Sequence, residues 1–131
     1  MSANSSLSGR RILVVEDEVI VAWLLEDMLA DFGCAVIGPA ARVGQALAMV
    51  EAEAIDAAVL DVNLNGEKSY PVADALTARG VPFVFSTGYQ KDAMPNGYRG
   101  SPVLQKPYSS SKLRDTLAKL LTPESPAIRA V

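Results

Sequence analysis

The stretch that decides the fold is Ala57-Ala58-Val59-Leu60-Asp61, followed at once by the loop-like Asn63-Leu64-Asn65-Gly66. The apolar run is too short for a helix and is bounded by turn residues, so it reads as a buried strand ending on an acid. An acidic side chain at the carboxyl end of a buried strand stands where open α/β sheets place their ligands. A lone aspartate there more often only caps a turn. Asp61 reads differently because other strand ends carry acidic and basic groups able to converge on it.

Working outward toward the N-terminus, Arg11-Ile12-Leu13-Val14-Val15 is a β-branched-rich strand that stops at Glu16-Asp17-Glu18. Val21, Leu24, Leu25, Met28 and Phe32 then recur at helical spacing, with Glu26, Asp27 and Asp31 on the other side and Gly33 as a C-cap. Trp23 in this helix reads as a packing residue. Cys34-Ala35-Val36-Ile37-Gly38 is the second strand, and Val43, Ala46, Leu47 and Val50 mark one face of a second helix.

Toward the C-terminus, residues 62–68 read as a polar loop, and Ser69 caps a third helix with Pro71 in its first turn, Val72 and Leu76 inward and Gly80 as its stop. The fourth strand, Val81-Pro82-Phe83-Val84-Phe85, ends at Ser86-Thr87-Gly88. Pro95, Gly97 and Gly100 make residues 89–101 a loop with room for one helical turn. Val103-Leu104-Gln105 is a short fifth strand before Lys106-Pro107, and Ser109 to Ser111 open a last helix with Leu113, Leu117, Leu120 and Leu121 inward. The expected division is a flexible leader over 1–10, one domain over 11–121 and a flexible tail over 122–131.

Strands alternating with helices imply βαβ units and a parallel sheet with helices on both faces. Five strands in about 120 residues suit the α/β, flavodoxin-like three-layer sandwich of strand order 2-1-3-4-5, in which strands 1 and 3 meet at the switch point. In that order the carboxyl ends of four strands gather Glu16, Asp17, Asp61, Thr87 and Lys106 at one mouth.

Composition narrows the chemistry. A chain of 131 residues that is 50% hydrophobic suits one domain with a full core. A net charge of −3 gives no basic footprint, so binding to nucleic acid is not expected. No run approaches the ~20 apolar residues of a membrane span, and residues 1–6 lack the charged and apolar regions of a secretory signal. The single Cys34 fits a cytoplasmic setting. The absence of histidine excludes Ser-His and Cys-His nucleophile pairs and histidine metal sites.

Three carboxylates in one small mouth repel one another, and a divalent cation relieves that. All-oxygen ligands point to Mg²⁺ rather than zinc. An ionised aspartate can act as a nucleophile and form an acyl phosphate, with the cation, the Lys106 ammonium and the Thr87 hydroxyl stabilising the charge on the transferred group. Singly, each of these residues also has a plain structural reading: Glu16-Asp17 as a favourable helix start, Thr87 as a turn residue, Lys106 as a solvated loop cation.

At these residues the sequence resembles the receiver domain of two-component response regulators, over about residues 10–121. The shared pattern is an acidic pair after strand 1, an Asp after strand 3, a Thr or Ser after strand 4 and a Lys-Pro after strand 5. The resemblance implies that Asp61 accepts a phosphoryl group from a phosphohistidine of a sensor histidine kinase. It implies that Glu16 and Asp17 hold Mg²⁺ with Asp61 and the backbone carbonyl of Asn63, and that Thr87 and Lys106 bind the phosphoryl oxygens. Asn63 and Tyr89 match positions that tune acyl-phosphate hydrolysis. Such a domain is a phosphoacceptor that catalyses only its own phosphorylation and dephosphorylation.

Two departures stand out. Val103 occupies the position, three residues before the Lys, where receivers often carry a Tyr or Phe switch. The segment Pro82-Phe83-Val84-Phe85-Ser86-Thr87-Gly88-Tyr89 resembles the Phe-Ala-Thr-Gly-Tyr subgroup, whose members tend to pair with HWE or HisKA_2 kinases of alphaproteobacteria. Only Thr122 to Val131 follow the domain, too few residues for a helix-turn-helix output module. Output is therefore expected through docking to a downstream protein, relay to a histidine phosphotransferase, or draining phosphate from a shared kinase, and either a monomer or a dimer is compatible. Three other readings rank lower. A haloacid-dehalogenase-type phosphatase needs a second acid two residues after Asp61, where Asn63 stands. A flavodoxin needs Ser, Thr or Gly where residues 16–20 are acidic. A non-phosphorylated pseudo-receiver acting as a binding module is the serious alternative, given Val103.

Overall fold

The computed structural model describes residues 7–88, 96–98 and 101–122. In chain order these form β1 (Arg11–Val15), α1 (Val19–Asp31), β2 (Ala35–Ala40), α2 (Val43–Ala52), β3 (Ala57–Asp61), β4 (Asn63–Leu64), β5 (Glu67–Lys68), α3 (Tyr70–Ala78), β6 (Phe83–Thr87), β7 (Val103–Gln105) and α4 (Ser110–Leu120). A 3₁₀ turn, Asn96–Tyr98, lies in the Gly- and Pro-rich stretch before β7.

The main sheet has the order β2-β1-β3-β6-β7 and is parallel throughout. Leaving aside the two short strands β4 and β5, this is the expected 2-1-3-4-5 arrangement. β3 lies at the centre and is buried along its whole length, as a parallel strand covered on both faces must be.

Side chains alternate between the two faces. Leu13, Val15, Ala58, Leu60 and Phe85 pack toward α2 and α3, against Val50, Val72 and Leu76. Ile12, Val14, Val59, Val84 and Leu104 pack toward α1 and α4, against Leu25, Leu29, Leu113 and Leu117. Ser109 caps α4, its hydroxyl accepting the Lys112 amide at 3.1 Å. Among the described residues no helix is long and apolar enough to cross a membrane.

Five expectations change. Residues 62–68, read as a polar loop, contain the antiparallel hairpin β4–β5. Its Asn65-Gly66 turn has φ of 50° and 87°, the paired positive values that a two-residue hairpin turn demands. Trp23 and Leu24 do not pack: they are 63% and 55% exposed, beside Val19 and Ile20 at 62% and 68%. The helix buries Ala22, Leu25 and Leu29 instead. Leu7, placed in a loose leader, is fully buried in the α1/α4-side core, and the Gly9 amide bonds Gly33 O at 2.8 Å. Ser69 stands at the N-cap of α3, but its hydroxyl makes no capping bond. Strand β2 also runs on to Ala40, past Gly38, where a Cβ would meet Val14 O at 2.9 Å; only glycine allows that approach.

Candidate functional site

Because the five sheet strands run parallel, their carboxyl ends share one edge, and register decides which side chains meet there. Val15 pairs with Leu60, so the residues that follow, Glu16 and Asp61, emerge side by side. Asp61 pairs with Ser86, which brings Thr87 to the same edge. The Lys106 amide extends the β6–β7 ladder by donating to Thr87 O at 2.9 Å, and this delivers the lysine side chain to the mouth.

There, carboxylate oxygens of Glu16, Asp17 and Asp61 all lie within 4.8 Å of one another. Lys106 Nζ donates to Glu16 Oε1 at 3.1 Å and to Asp61 Oδ2 at 3.3 Å. Glu16 Oε2 accepts the Glu18 amide at 3.1 Å, Asp61 Oδ1 the Asn63 amide at 3.4 Å, and Asp17 Oδ2 the Asn65 amide at 2.9 Å. Glu16, Asp61 and Thr87 are buried, at 4%, 9% and 3% exposure, while Asp17 and Lys106 are half-exposed.

Burial pushes the Glu16 carboxyl up to about 7, and the charge of Asp61 adds to the push. Burial pulls the Lys106 ammonium down, but the Asp61 and Glu16 carboxylates outweigh it and leave its pKa raised. With all groups ionised, three carboxylates against one ammonium leave two negative charges in excess. The donors are all oxygen, with no nitrogen or sulfur ligand among the described residues of the cluster. That donor set fits a hard divalent cation such as Mg²⁺ and not a soft or imidazole-seeking metal.

The expected site residues Glu16, Asp17, Asp61 and Lys106 are thus in mutual reach, Thr87 stands at the same edge, and Asn63 touches Asp61 through its amide. Tyr89 lies outside the described residues. Val103 pairs with Phe85 and packs against the α2/α3-side core. An aromatic group does occur nearby: Tyr98 stacks on Tyr70 at 4.5 Å, meets Phe85 edge-on at 5.9 Å and donates its hydroxyl to Asp74 at 2.7 Å. That bond pushes the Tyr98 phenol up to about 12.

Sequence reasoning missed two neighbours of the site. One is the Asn65 amide, whose signal was the Asn-Gly pair. The other is a small apolar pocket of about 170 Å³ between α1 and the loop after β7, lined by Val21, Leu24, Leu25, Met28, Lys106 and Tyr108 among others. Leu24 of the exposed face of α1 and Lys106 of the site both line it.

Comparison with known proteins agrees with this geometry. The family described as response regulator receiver domain matches residues 12–118. The chain is similar to SdrG from Sphingomonas melonis, with 48% identity and a TM-score of 0.77 over 93% of this chain and 100% of that one. It is similar to the receiver domain of the sensor histidine kinase PA1611 from Pseudomonas aeruginosa, solved with a magnesium ion coordinated in its active-site cleft; identity is 27% and the TM-score 0.76, over 87% and 98% of the two chains. It also matches the transcriptional regulatory protein PdtaR of Mycobacterium tuberculosis, at 27% identity over 79% of this chain. The chain spans about half the length of that curated relative, 53%. Strand order, strand-end residues and the family match converge: the chain belongs to the response regulator receiver domains of two-component systems.

Proposed function

We propose that this protein is a phosphoacceptor whose Asp61 receives a phosphoryl group from the phosphohistidine of a sensor histidine kinase, in a Mg²⁺-dependent reaction. The observation that carries the reading is a nearly buried aspartate held between two further carboxylates and one lysine. Such an arrangement has little structural purpose, since it concentrates like charge where desolvation is costly.

In the proposed step an Asp61 carboxylate oxygen attacks phosphorus. The new O–P bond forms as the N–P bond of the phosphohistidine breaks, and the bonding pair leaves on the imidazole nitrogen, which takes up a proton. Bound Mg²⁺ would supply electrostatic stabilisation of the phosphoryl oxygens. Glu16 and Asp17 are the proposed ligands, with Asp61 and the Asn63 carbonyl. Lys106, already bonded to Asp61 and Glu16, would transfer its bond from Asp61 to a phosphoryl oxygen. The Thr87 hydroxyl would accept the same role from the end of β6. Phosphorylation puts up to about two negative charges and three acceptor oxygens at the mouth, which redirects Lys106 and Thr87 and changes the neighbouring loops.

The partner surface follows from α1. Val19, Ile20, Trp23 and Leu24 form an exposed apolar stripe that adjoins the mouth through the pocket shared with Lys106. A stripe of this kind marks a docking site, and an amphipathic helix bearing the phosphohistidine is the occupant that delivers its group to Asp61. The Phe85-Ser86-Thr87-Gly88 segment, through its resemblance to the Phe-Ala-Thr-Gly-Tyr subgroup, supports a donor of the HWE/HisKA_2 type. Output then runs through a docked protein, a histidine phosphotransferase or phosphate drainage. The free Cys34 agrees with a cytoplasmic setting.

The test is intact mass after incubation with Mg²⁺ and phosphoramidate, for wild type and Asp61→Asn. One base-labile phosphoryl group on wild type alone is the expected result. Equal labelling of both proteins would remove Asp61 as acceptor. Absence of labelling from small donors and from phosphorylated HWE-type kinase alike would favour the pseudo-receiver reading.

A further inference from the structure

The hairpin β4–β5 makes a contact that the phosphoryl chemistry does not itself require. Lys106 holds Glu16 and Asp61, but Asp17 is held by the hairpin, through the Asn65 amide at 2.9 Å. This bond joins residues 48 positions apart in the chain. It is shorter than the 3.1 to 3.4 Å bonds that Glu16 and Asp61 accept.

The amide is itself fixed from three sides. Its own turn demands positive φ at Asn65 and Gly66. Leu64, one residue earlier, is fully buried in the core, and the Ser69 amide closes the base of the hairpin on Val62 O at 2.9 Å. Glu67 in β5 also reaches across to accept the Val43 amide at the start of α2, at 3.4 Å. An amide anchored this firmly sets the orientation of a half-exposed carboxylate that is otherwise free to swing into water.

We infer that the Asn65 backbone amide is a positioning group for Asp17, holding its carboxylate at the cluster so that a divalent cation meets three oxygen ligands already in place. The inference rests on the Mg²⁺ reading of the site. Hydrogen bonds to a metal's ligands commonly govern affinity by about 10- to 100-fold, and orienting a ligand before the ion arrives removes an ordering cost from binding.

The test measures Mg²⁺ affinity by calorimetry, with MgCl₂ alone as titrant, on wild type, Asn65→Gly and Asn65→Pro. Glycine keeps the amide and accepts positive φ, so Asn65→Gly should bind within about twofold of wild type. Proline has no N–H and cannot adopt positive φ, so Asn65→Pro should bind at least about tenfold more weakly. Equal affinity of Asn65→Pro and wild type would overturn the inference. A second readout does not depend on that variant folding. In wild type the Asn65 amide proton should resonate downfield, and Asp17→Ala should move it upfield; an unmoved resonance would equally overturn the contact. Wild type that fails to bind Mg²⁺ would instead sink the metal reading, and the amide resonance would still decide whether the turn positions Asp17.

Discussion

The two ends of the sheet both carry clustered charge, and they are built on opposite terms. At the amino-terminal edge, Arg11 bonds Glu53 at 3.0 Å and the Ala54 carbonyl at 2.6 Å, its amide donates to Asp56 at 2.8 Å, and Arg10 lies 4.0 Å from Asp56. These side chains are at least 40% exposed, and cations and anions are matched. At the carboxyl-terminal edge three acids stand against one lysine, which bonds only Glu16 and Asp61, and these two are buried. Paired, wet charges contribute little and demand little, whereas unbalanced, dry charges keep a standing cost. Imbalance at a buried edge is therefore the mark of a site, and balance at a wet edge the mark of scaffold.

The largest expected contrast is functional. Asp61→Asn should abolish phosphoryl labelling completely, while Glu53→Gln at the opposite edge should leave labelling at the wild-type level; intact-mass spectra of both variants check this. Next comes the lysine. Lys106→Met leaves the three carboxylates without their cation and should cost on the order of 2 kcal/mol in metal-free buffer at pH 8, discounted from the 3–5 typical of fully buried pairs. Urea denaturation should show much of that loss restored by millimolar Mg²⁺.

A smaller effect is tied to pH. Glu16 holds its proton more tightly in the folded protein, with a pKa near 7 against the ordinary 4.5. A raised acid destabilises the fold once it must ionise, so its influence is absent below about 4.5, grows as pH rises through that window and is complete above about 7. Glu16→Gln should therefore stabilise the metal-free protein by on the order of 2 kcal/mol at pH 8 and by almost nothing at pH 4, as read from melts at both pH values. The smallest effect belongs to the wet edge, where Glu53→Gln should cost under about 0.5 kcal/mol in urea denaturation. A cost above 2 kcal/mol there would erase the distinction between the two edges.

Much of this was legible in the sequence because parallel sheets write themselves plainly: β1, β3 and β6 carry the apolar runs 12–15, 57–60 and 83–85, and Glu16, Asp61 and Thr87 follow within two residues of their ends. Features that depend on which way a surface faces were not legible. Helix α1, Val19–Asp31, is apolar on almost every side of its first two turns, so periodicity could not choose between burying Leu24 and burying Ala22. The strands of the hairpin are two residues each, too short to show alternation, although its Asn65-Gly66 turn was a readable sign. Leu7 stands alone among serines, and its burial comes from joining the cluster that also holds Phe32, Leu113 and Leu117. The Tyr70–Phe85–Tyr98 stack depends on side chains far apart in sequence meeting across α3 and β6.

The exposed face of α1 has one more consequence. Trp23 is the only tryptophan in the chain, and it stands 63% exposed on that face. Under excitation that spares the four tyrosines, the intrinsic emission therefore comes from a single point on that face. A partner that covers the stripe will dry that indole and shift its emission to the blue, whereas one that settles elsewhere will leave the spectrum almost still. The molecule carries its own unlabelled reporter of which side it has been approached from.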